Sequence, residues 1–537
     1  MSITSTVGCY VVELLAANGI DVVFGVPGVH TLELYRGLAA TGMRHVLVRH
    51  EQNAGFAADG HARLSGRPAA AFVISGPGMT NALTAVAQAY SDSVPLLVIA
   101  SAPVRSSLGK GWGVLHELPD QLALGAGVAA VARTAYSAED VRDHLRAIFA
   151  SFRTGRARPG YLQIPLDLLA ESTQLTAERF ADFQAPAVPT PEAISKASAL
   201  LAAAQRPLVI VGGGARGAAE PLQRLVDLLD GYVVTTTAGK GVLPESHPAC
   251  LGASLPYRHT QSIVAAADVV VAVGTELSET DFYTGTRLPI GGQLIRIDLD
   301  PSKLSDHYGA QVPVLGDARA ALEAILAPLR RRCGWRTEAG AASVHRAEIE
   351  RSLRGSERAR LVALQAIREG VPDDGVVFSD QTQIAYLGNY AYDTDRPGSW
   401  FHPCGYGALG FALPAAIGAK IADPERCIIA LAGDYGVQFT LQELMSAVEL
   451  QMSLPVVIWN NAALGQIRDD MQASGIPPVG VVARNPDFAA LARAFGAEGV
   501  RARGATALKE AVRDALSRNG PTLIEAVESD FAAGSSL

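Results

Sequence analysis

GDYGVQFTLQELMSAVELQMSLPVVIWNNAALGQ, residues 433–466, decides how the rest of the 537-residue chain is read. The apolar run of residues 428–432 ahead of it suits a buried parallel strand. Gly433 and Gly436 then let backbone approach an anion beside the start of the next helix, where Asp434 adds a carboxylate. Leu441, Leu444, Met445, Val448 and Leu450 predict an amphipathic helix, and residues 454–459 predict a second buried strand ending at Asn460 and Asn461. In the resulting βαβ unit the two strand ends are neighbours. Asp434 and Asn461, 461 − 434 = 27 positions apart, can therefore converge on one hard cation that bridges phosphate oxygens, with the Ala463 carbonyl as a third ligand. Either dipeptide alone is ordinary turn chemistry; the separation carries the inference.

At that separation the residues resemble the thiamine-diphosphate signature of 2-oxo acid decarboxylases, acetolactate synthases and related carboligases. Tyr435 stands where that family usually has a small residue. The resemblance implies Mg2+ on Asp434, Asn461 and Ala463, with Gly433, Tyr435, Gly436, Leu464 and Gly465 around the cofactor's diphosphate.

The chain is too long for one core, and a composition of 49% hydrophobic and 18% charged residues is that of a globular protein of about three domains. A net charge of −8 without a basic run argues against a nucleic-acid partner. The five cysteines, Cys9, Cys250, Cys333, Cys404 and Cys427, are scattered without CxxC spacing. This fits a reducing cytoplasm rather than a disulfide framework or a zinc site. The N-terminus lacks a basic leader, and no apolar run reaches membrane-spanning length, so neither export signal nor membrane span is expected.

Residues 1–172 alternate helical and strand patterns: a helix over Val7–Asn18, a strand over 21–26, a helix over Leu32–Ala40 and a strand over 45–50. Glu51 follows that strand directly, and Ala54, Ala57, Ala58 and Ala62 permit close helix packing. A glutamate there is ordinary for the first turn of a helix. The words RHEQNAGFAADGHAR and AAAFVISGPGMTNALTAVAQAYSDSVPLLVIAS, however, resemble the pyrimidine-binding domain of the same family, whose catalytic carboxylate matches Glu51. The resemblance implies that Glu51 hydrogen-bonds N1′ of the cofactor's pyrimidine, so that the cofactor can lose its C2 proton, with Thr80 and Asn81 lining that end.

Residues 108–121, LGKGWGVLHELPDQ, read as a long ordered loop. His116 aligns with an active-site glutamine of acetolactate synthases, and His30 with an active-site histidine of benzaldehyde lyases; both are candidates for moving protons. A second domain, 190–330, carries strands that end in Gly, Asp or Thr loops. Its GGGARG lacks a GxGxxG fingerprint, so FAD or ADP there, as some family members hold, is not favoured. The Arg-rich stretch 331–355 reads as a helical connector. In the third domain, 355–537, a strand delivers Asp380, Gln381 and Thr382 into a turn. Gln381 matches a diphosphate-contacting residue, Thr382 replaces a frequent histidine, and Gly407 and Leu409 match the ring-approaching glycine and the apolar prop of the cofactor.

The expected fold class is thus α/β, three doubly wound parallel-sheet domains for pyrimidine, middle and diphosphate. The family implies a homodimer as the minimum active unit and allows a homotetramer. It implies an enzyme acting on a small 2-oxo acid, by decarboxylation or by acetolactate synthase-like or benzaldehyde lyase-like carboligation. The words GQIRDDM and LHELPDQ resemble decarboxylases of 5-guanidino-2-oxopentanoate (2-oxoarginine), which release 4-guanidinobutanal and carbon dioxide. A guanidinium needs acidic acceptors, and the candidates are Glu117, Asp120, Asp469 and Asp470, with Gln121 beside them.

Overall fold

A computed structural model of the chain describes residues 5–531 apart from 182–186, 284, 286 and 331–333. Part of the expected linker before residue 190, the start of the Arg-rich stretch and Cys333 lie outside the described residues. The first unit contributes β1 (Ser5–Thr6), β2 (Val22–Gly25), β3 (Arg44–Leu47), β4 (Ala69–Val73), β5 (Leu96–Ala102), β6 (Val131–Thr134), β7 (Gly160–Pro165) and β8 (Ser172–Thr173). β2 to β7 form a sheet in the order β3-β2-β4-β5-β7-β6, while β1 and β8 pair with each other antiparallel. The second unit has β9 (Pro207–Val211), β10 (Tyr232–Thr235), β11 (Val269–Val273), β12 (Gln293–Asp298) and β13 (Val312–Leu315), ordered β10-β9-β11-β12-β13. The third has β14 (Val376–Ser379), β15 (Trp400–Phe401), β16 (Ile428–Gly433), β17 (Leu454–Asn460), β18 (Glu498–Ala502) and β19 (Pro521–Val527), ordered β15-β14-β16-β17-β19-β18.

All strand pairs in these three sheets are parallel. Helices cover both faces, which is why central strands such as β16 and β4 are buried at every residue and read as continuous apolar runs. Each sheet reverses its winding between β2 and β4, β9 and β11, and β14 and β16, and the first and third turn back again at their far edge, where β7 and β19 lie inside β6 and β18. In doubly wound sheets ligands bind beyond the carboxyl ends of the strands at that reversal. The residues standing there are His30 and Ser75 in the first sheet, Gly212–Gly214 and Gly274 in the second, and Asp380–Thr382 with Gly433–Asp434 in the third.

One apolar core runs through the first and third units. Its centre is the crossing of helix Glu51–Ser65 with helix Ala412–Ala422. A Cβ on Gly60 would strike the Ala415 carbonyl, and one on Gly418 the Ala57 carbonyl, so only glycine lets the two backbones touch.

The amphipathic helix expected between Gly436 and Leu450 is broken. Two 3₁₀ turns, Gly436–Phe439 and Leu441–Glu443, precede a short α-helix, Leu444–Glu449. The reason is polar: Thr440 Oγ1 donates to the Gly410 carbonyl at 2.9 Å, and Glu443 turns inward to 1% exposure while Leu450 lies exposed. Buried hydrogen bonds, not apolar spacing, set which face points in. The strand expected over 45–50 ends earlier, at Leu47, because residues 48–50 turn to start the Glu51 helix.

Candidate active site

Glu51 is the first residue of its helix and half-buried. Asn81 Nδ2 donates to Glu51 Oε2 at 2.9 Å, and a Cβ on Gly78 would stand 3.5 Å from Oε1. The carboxylate therefore lies against the first turn of helix Pro77–Ser91, where Thr80 and Asn81 are exposed and the Thr80 hydroxyl donates to the Pro77 carbonyl at 3.1 Å. Nearby, His30 Nδ1 is 2.7 Å from Ser75 Oγ, and the His30 and His116 rings meet edge to face with centroids 4.8 Å apart. Burial and then His116 lower the pKa of His30, so it is held as a neutral imidazole. His116 sits at φ 65, and its Nδ1 is buried without a hydrogen-bond partner. A backbone outlier carrying an unpaired ring nitrogen suits a site whose ligand completes it.

In the third unit β16 and β17 pair Gly433 with Trp459, and Asp434 N–H donates to the Trp459 carbonyl at 2.9 Å. That register sets Asp434 beside the Asn460–Ala463 turn. Asp434 is 2% exposed, and burial raises its pKa. Asn485 Nδ2 donates to Asp434 Oδ2 at 2.6 Å and to Asn460 Oδ1 at 3.0 Å. Asn461 Oδ1 accepts from Ala463 N–H at 3.2 Å, and Asn461 Nδ2 donates to Gln383 Oε1 at 3.2 Å. A desolvated carboxylate among amide and carbonyl oxygens is a donor set for a hard divalent cation, which would offset the cost of burying the charge.

The anion side faces it. Thr382 Oγ1 is 2.9 Å from where a Gly433 Cβ would be, and Thr382, at the start of helix Gln383–Ala391, spends no side-chain bond on capping it. Gln381 Nε2 donates to the Pro403 carbonyl at 2.6 Å; Gly407 is exposed beside that amide, and Leu409 is half-buried. Asp380 Oδ1 accepts from Gln381 N–H at 2.8 Å and Gly410 N–H at 3.1 Å, but Oδ2 has no partner. Burial pushes the Asp380 carboxyl up to about 6. Gly436 is buried against that carboxyl, and Tyr435 is exposed with its ring 5.8 Å from Phe439. Leu464 N–H donates to the Val481 carbonyl at 2.8 Å, and Gly465 leaves the room that Asn461 and Gln383 fill.

The candidate substrate carboxylates are unequally committed. Glu117 accepts from Gly111 N–H at 2.9 Å and Gly113 N–H at 2.7 Å, folding its own loop. Asp120 caps helix Gln121–Ala126 through Ala123 N–H at 2.9 Å. Gln121 is buried and bonds Gly76 N–H, the Ser101 carbonyl, Tyr161 and Gln163. Asp469 receives Gln383 Nε2 at 2.8 Å and pairs with Arg468, while Asp470 is exposed and meets Gln466 Nε2 at 3.0 Å. Asn485 and Gln383 are not evident in the sequence: Asn485 is a lone amide 51 positions from Asp434, and Gln383 directly follows the Asp380–Thr382 turn but meets Asn461 78 positions away.

Two further features lie in the second unit. A cavity of about 890 Å³ opens at its junction with the other two, lined by Gly212–Gly214, Arg156, Arg158, Arg216 and Lys303. Glu276 pairs with Arg156, with Arg158 at 3.5 Å and with Lys303 at 3.3 Å, so one carboxylate is shared among three of those four cations. His259 Nε2 lies 2.8 Å from His345 Nδ1 and 3.1 Å from Glu348. Tyr232 donates to the Gly340 carbonyl at 2.8 Å and so receives His345 Nε2–H at 3.2 Å. No helix among the described residues is long and apolar enough to cross a membrane.

Three family models match the chain: the thiamine pyrophosphate enzyme N-terminal TPP binding domain at residues 5–124, the central domain at 194–325 and the C-terminal TPP binding domain at 380–526. The chain is 48% identical to a probable 2-ketoarginine decarboxylase of Pseudomonas aeruginosa, over 97% of this chain and 94% of the relative. It is 30% identical to the acetolactate synthase isozyme 3 large subunit of Escherichia coli, over 95% and 92%. A probable acetolactate synthase large subunit of Methanocaldococcus jannaschii is 28% identical, over 96% and 91%.

Proposed function

The chain belongs to the thiamine pyrophosphate enzymes, and from that premise we propose that it decarboxylates 2-oxoarginine to 4-guanidinobutanal and carbon dioxide, with Mg2+ and thiamine diphosphate as its cofactors. The observation that carries the substrate is the 48% identity, end to end, to a relative named for 2-ketoarginine, against 30% to an acetolactate synthase. We propose domain limits of 1–172, 190–330 and 355–537.

The residues fit the cofactor. Asp434, Asn461 and the Ala463 carbonyl would hold magnesium; Gln381, Thr382, Gly433 and Gly436 would receive the diphosphate; Gly407 and Leu409 would line the rings. When bound, thiamine diphosphate supplies a nucleophilic carbon that adds to the 2-oxo carbon and takes up the electron pair left when carbon dioxide departs. Glu51, held by Asn81, would keep a hydrogen bond to N1′ of the pyrimidine and so govern the proton at the amino group. Neutral His30, set by Ser75, and His116 can give and take a proton on the substrate side. For the guanidinium we favour Asp469 and Asp470, because Glu117 and Asp120 are spent on folding their own loop and helix end.

A homodimer as the working unit is supported by what lies open. The Glu51 end of helix Pro77–Ser91 is exposed at Thr80 and Asn81, whereas Gln88 and Asp92 at its other end hold Ala408 N–H at 3.0 Å and Gly405 N–H at 2.8 Å of the same chain. Seven residues of helix separate Asn81 from Gln88, about 10 Å of rise. Large apolar side chains are exposed at both half-sites: Val29, Leu32, Trp112 and Leu115 near the histidines, and Tyr406, Tyr435, Phe439 and Ile467 near the diphosphate side. A second copy would cover both, and two such dimers would make a tetramer. The described cysteines are all free thiols, which supports the cytoplasm as its compartment. Carbon dioxide release from a panel of 2-oxo acids tests the function: 2-oxoarginine should be turned over best, and equal or faster use of pyruvate with acetolactate as product would establish a carboligase instead.

A further inference from the structure

The turn that presents Glu51 is clamped from the third domain. Glu443 is 1% exposed, and its Oε1 accepts from Arg49 N–H at 2.6 Å and from Asn53 Nδ2 at 2.8 Å, one partner on each side of Glu51. Its Oε2 accepts from Ser446 Oγ at 2.7 Å, and the same hydroxyl is 3.1 Å from the Leu47 carbonyl at the end of β3. The Arg49 guanidinium completes the clamp on Glu449 at 2.6 Å. Both partners of Oε1 are N–H donors, the Ser446 hydroxyl can donate to Oε2 or to the Leu47 carbonyl, and burial raises the pKa of the carboxyl. A buried carboxylate that takes two of its partners from a neighbouring domain is costly to desolvate and holds those neighbours in one geometry.

The chain leads directly from the cation turn to this clamp. Gln438 Nε2 donates to the Asp434 carbonyl at 2.9 Å, Thr440 is tied to Gly410, and Glu443 N–H donates to the Thr440 carbonyl at 2.9 Å. We propose that Glu443 is a positioning residue for the reaction: by fixing Arg49 and Asn53 it sets where the Glu51 carboxylate stands, and it ties that carboxylate to the segment that holds the metal and diphosphate. Glu443 touches neither substrate nor cofactor. The proposal rests on the reading of Glu51 as the group that meets the pyrimidine.

The test compares Glu443→Asp, which keeps the charge but withdraws its oxygens by one methylene, with Glu443→Gln, which keeps the reach and an acceptor for Arg49 and Asn53. In the magnesium and thiamine diphosphate holoenzyme, the exchange of the cofactor's C2 proton with deuterium is followed by acid quench and NMR, beside kcat, KM, cofactor affinity and thermal midpoint. Glu443→Asp should slow exchange and kcat together, on the order of 10- to 100-fold as for groups that orient a site's reacting residues, with KM and cofactor affinity held. Glu443→Gln should restore most of the rate. Wild-type exchange in Glu443→Asp overturns the proposal. So does a loss that follows thermal midpoint and cofactor affinity in step and is not restored by glutamine, which marks a structural role only. Glu51→Gln is the reference: if it too exchanges at the wild-type rate, the fault lies in the role given to Glu51, not in that of Glu443.

Discussion

In the proposed mechanism two side chains carry the chemistry on different physical grounds, and substitution separates them. Glu51 needs an ionised oxygen at the pyrimidine, so Glu51→Gln keeps the shape and the Asn81 contact but loses the charge. Turnover should fall by about 10²–10⁴, the scale of acid-base groups, while titration shows thiamine diphosphate still bound; an undiminished kcat would remove Glu51 from the mechanism. Asp434 is proposed to act through a cation. Asp434→Ala deletes its charged ligand and leaves Asn485 Nδ2 without an acceptor there, though Asn460 Oδ1 remains within reach. Affinity for the cofactor should drop by an order of magnitude or more when magnesium is limiting and recover in part at excess magnesium. Equal affinity at limiting magnesium would place the metal elsewhere.

At the scale of elements, the most exacting contact is the crossing of helices Glu51–Ser65 and Ala412–Ala422. Gly418→Val should lower the thermal midpoint, at a cost of about 1–3 kcal/mol or more for overpacking, because the new side chain meets the Ala57 backbone rather than a movable side chain. An unchanged midpoint would mean that the helices can slide apart freely. His61, in the same helix, is 1% exposed, and burial lowers its pKa to about 4 despite Asp21. The folded state then binds fewer protons than the unfolded chain below about pH 6.5, so stability present at neutral pH is lost as pH falls toward 4. His61→Gln should flatten that fall between pH 7 and pH 4.5, read as thermal midpoints. The sequence disclosed such elements where one rule governs them: β16, and β17 up to Trp459, are apolar because both faces are covered, and Glu51 opens its helix. It misled over residues 436–450, where Leu441, Met445, Val448 and Leu450 keep a helical period but are not fully buried, while polar Glu443 and Ser446 are buried beside Leu444 and Ala447. Their partners, Arg49, Asn53 and Leu47, lie some 390 residues earlier. No local pattern carries a contact of that range, and for the same reason Asn485 and Gln383 stayed hidden.

At the scale of the whole molecule, the two halves of the site lie on one chain yet open outward. Glu51 with Asn81 is at one end of helix Pro77–Ser91, and Gly405 and Ala408 are fastened to the other by Asp92 and Gln88. If the cofactor bridges two copies, the Glu51 of one subunit serves the Asp434 of its partner. Two inactive variants then complement each other. Mixing Glu51→Gln and Asp434→Ala subunits in equal amounts, with unfolding and refolding or co-expression to exchange them, gives mixed dimers in which one site carries both substitutions and the other carries neither. Random pairing makes half the dimers mixed and one site in two intact within them, so activity should return to about a quarter of wild type. A site built within one chain predicts the opposite: every site in every dimer holds one of the two substitutions, and the mixture stays as inactive as its parts. Carbon dioxide release from the mixed and the separate preparations, at saturating magnesium and thiamine diphosphate, distinguishes the two. Failure to recover in a preparation shown by differential tags to contain mixed dimers would exclude the shared site while leaving the assignments of Glu51 and Asp434 standing on their own variants.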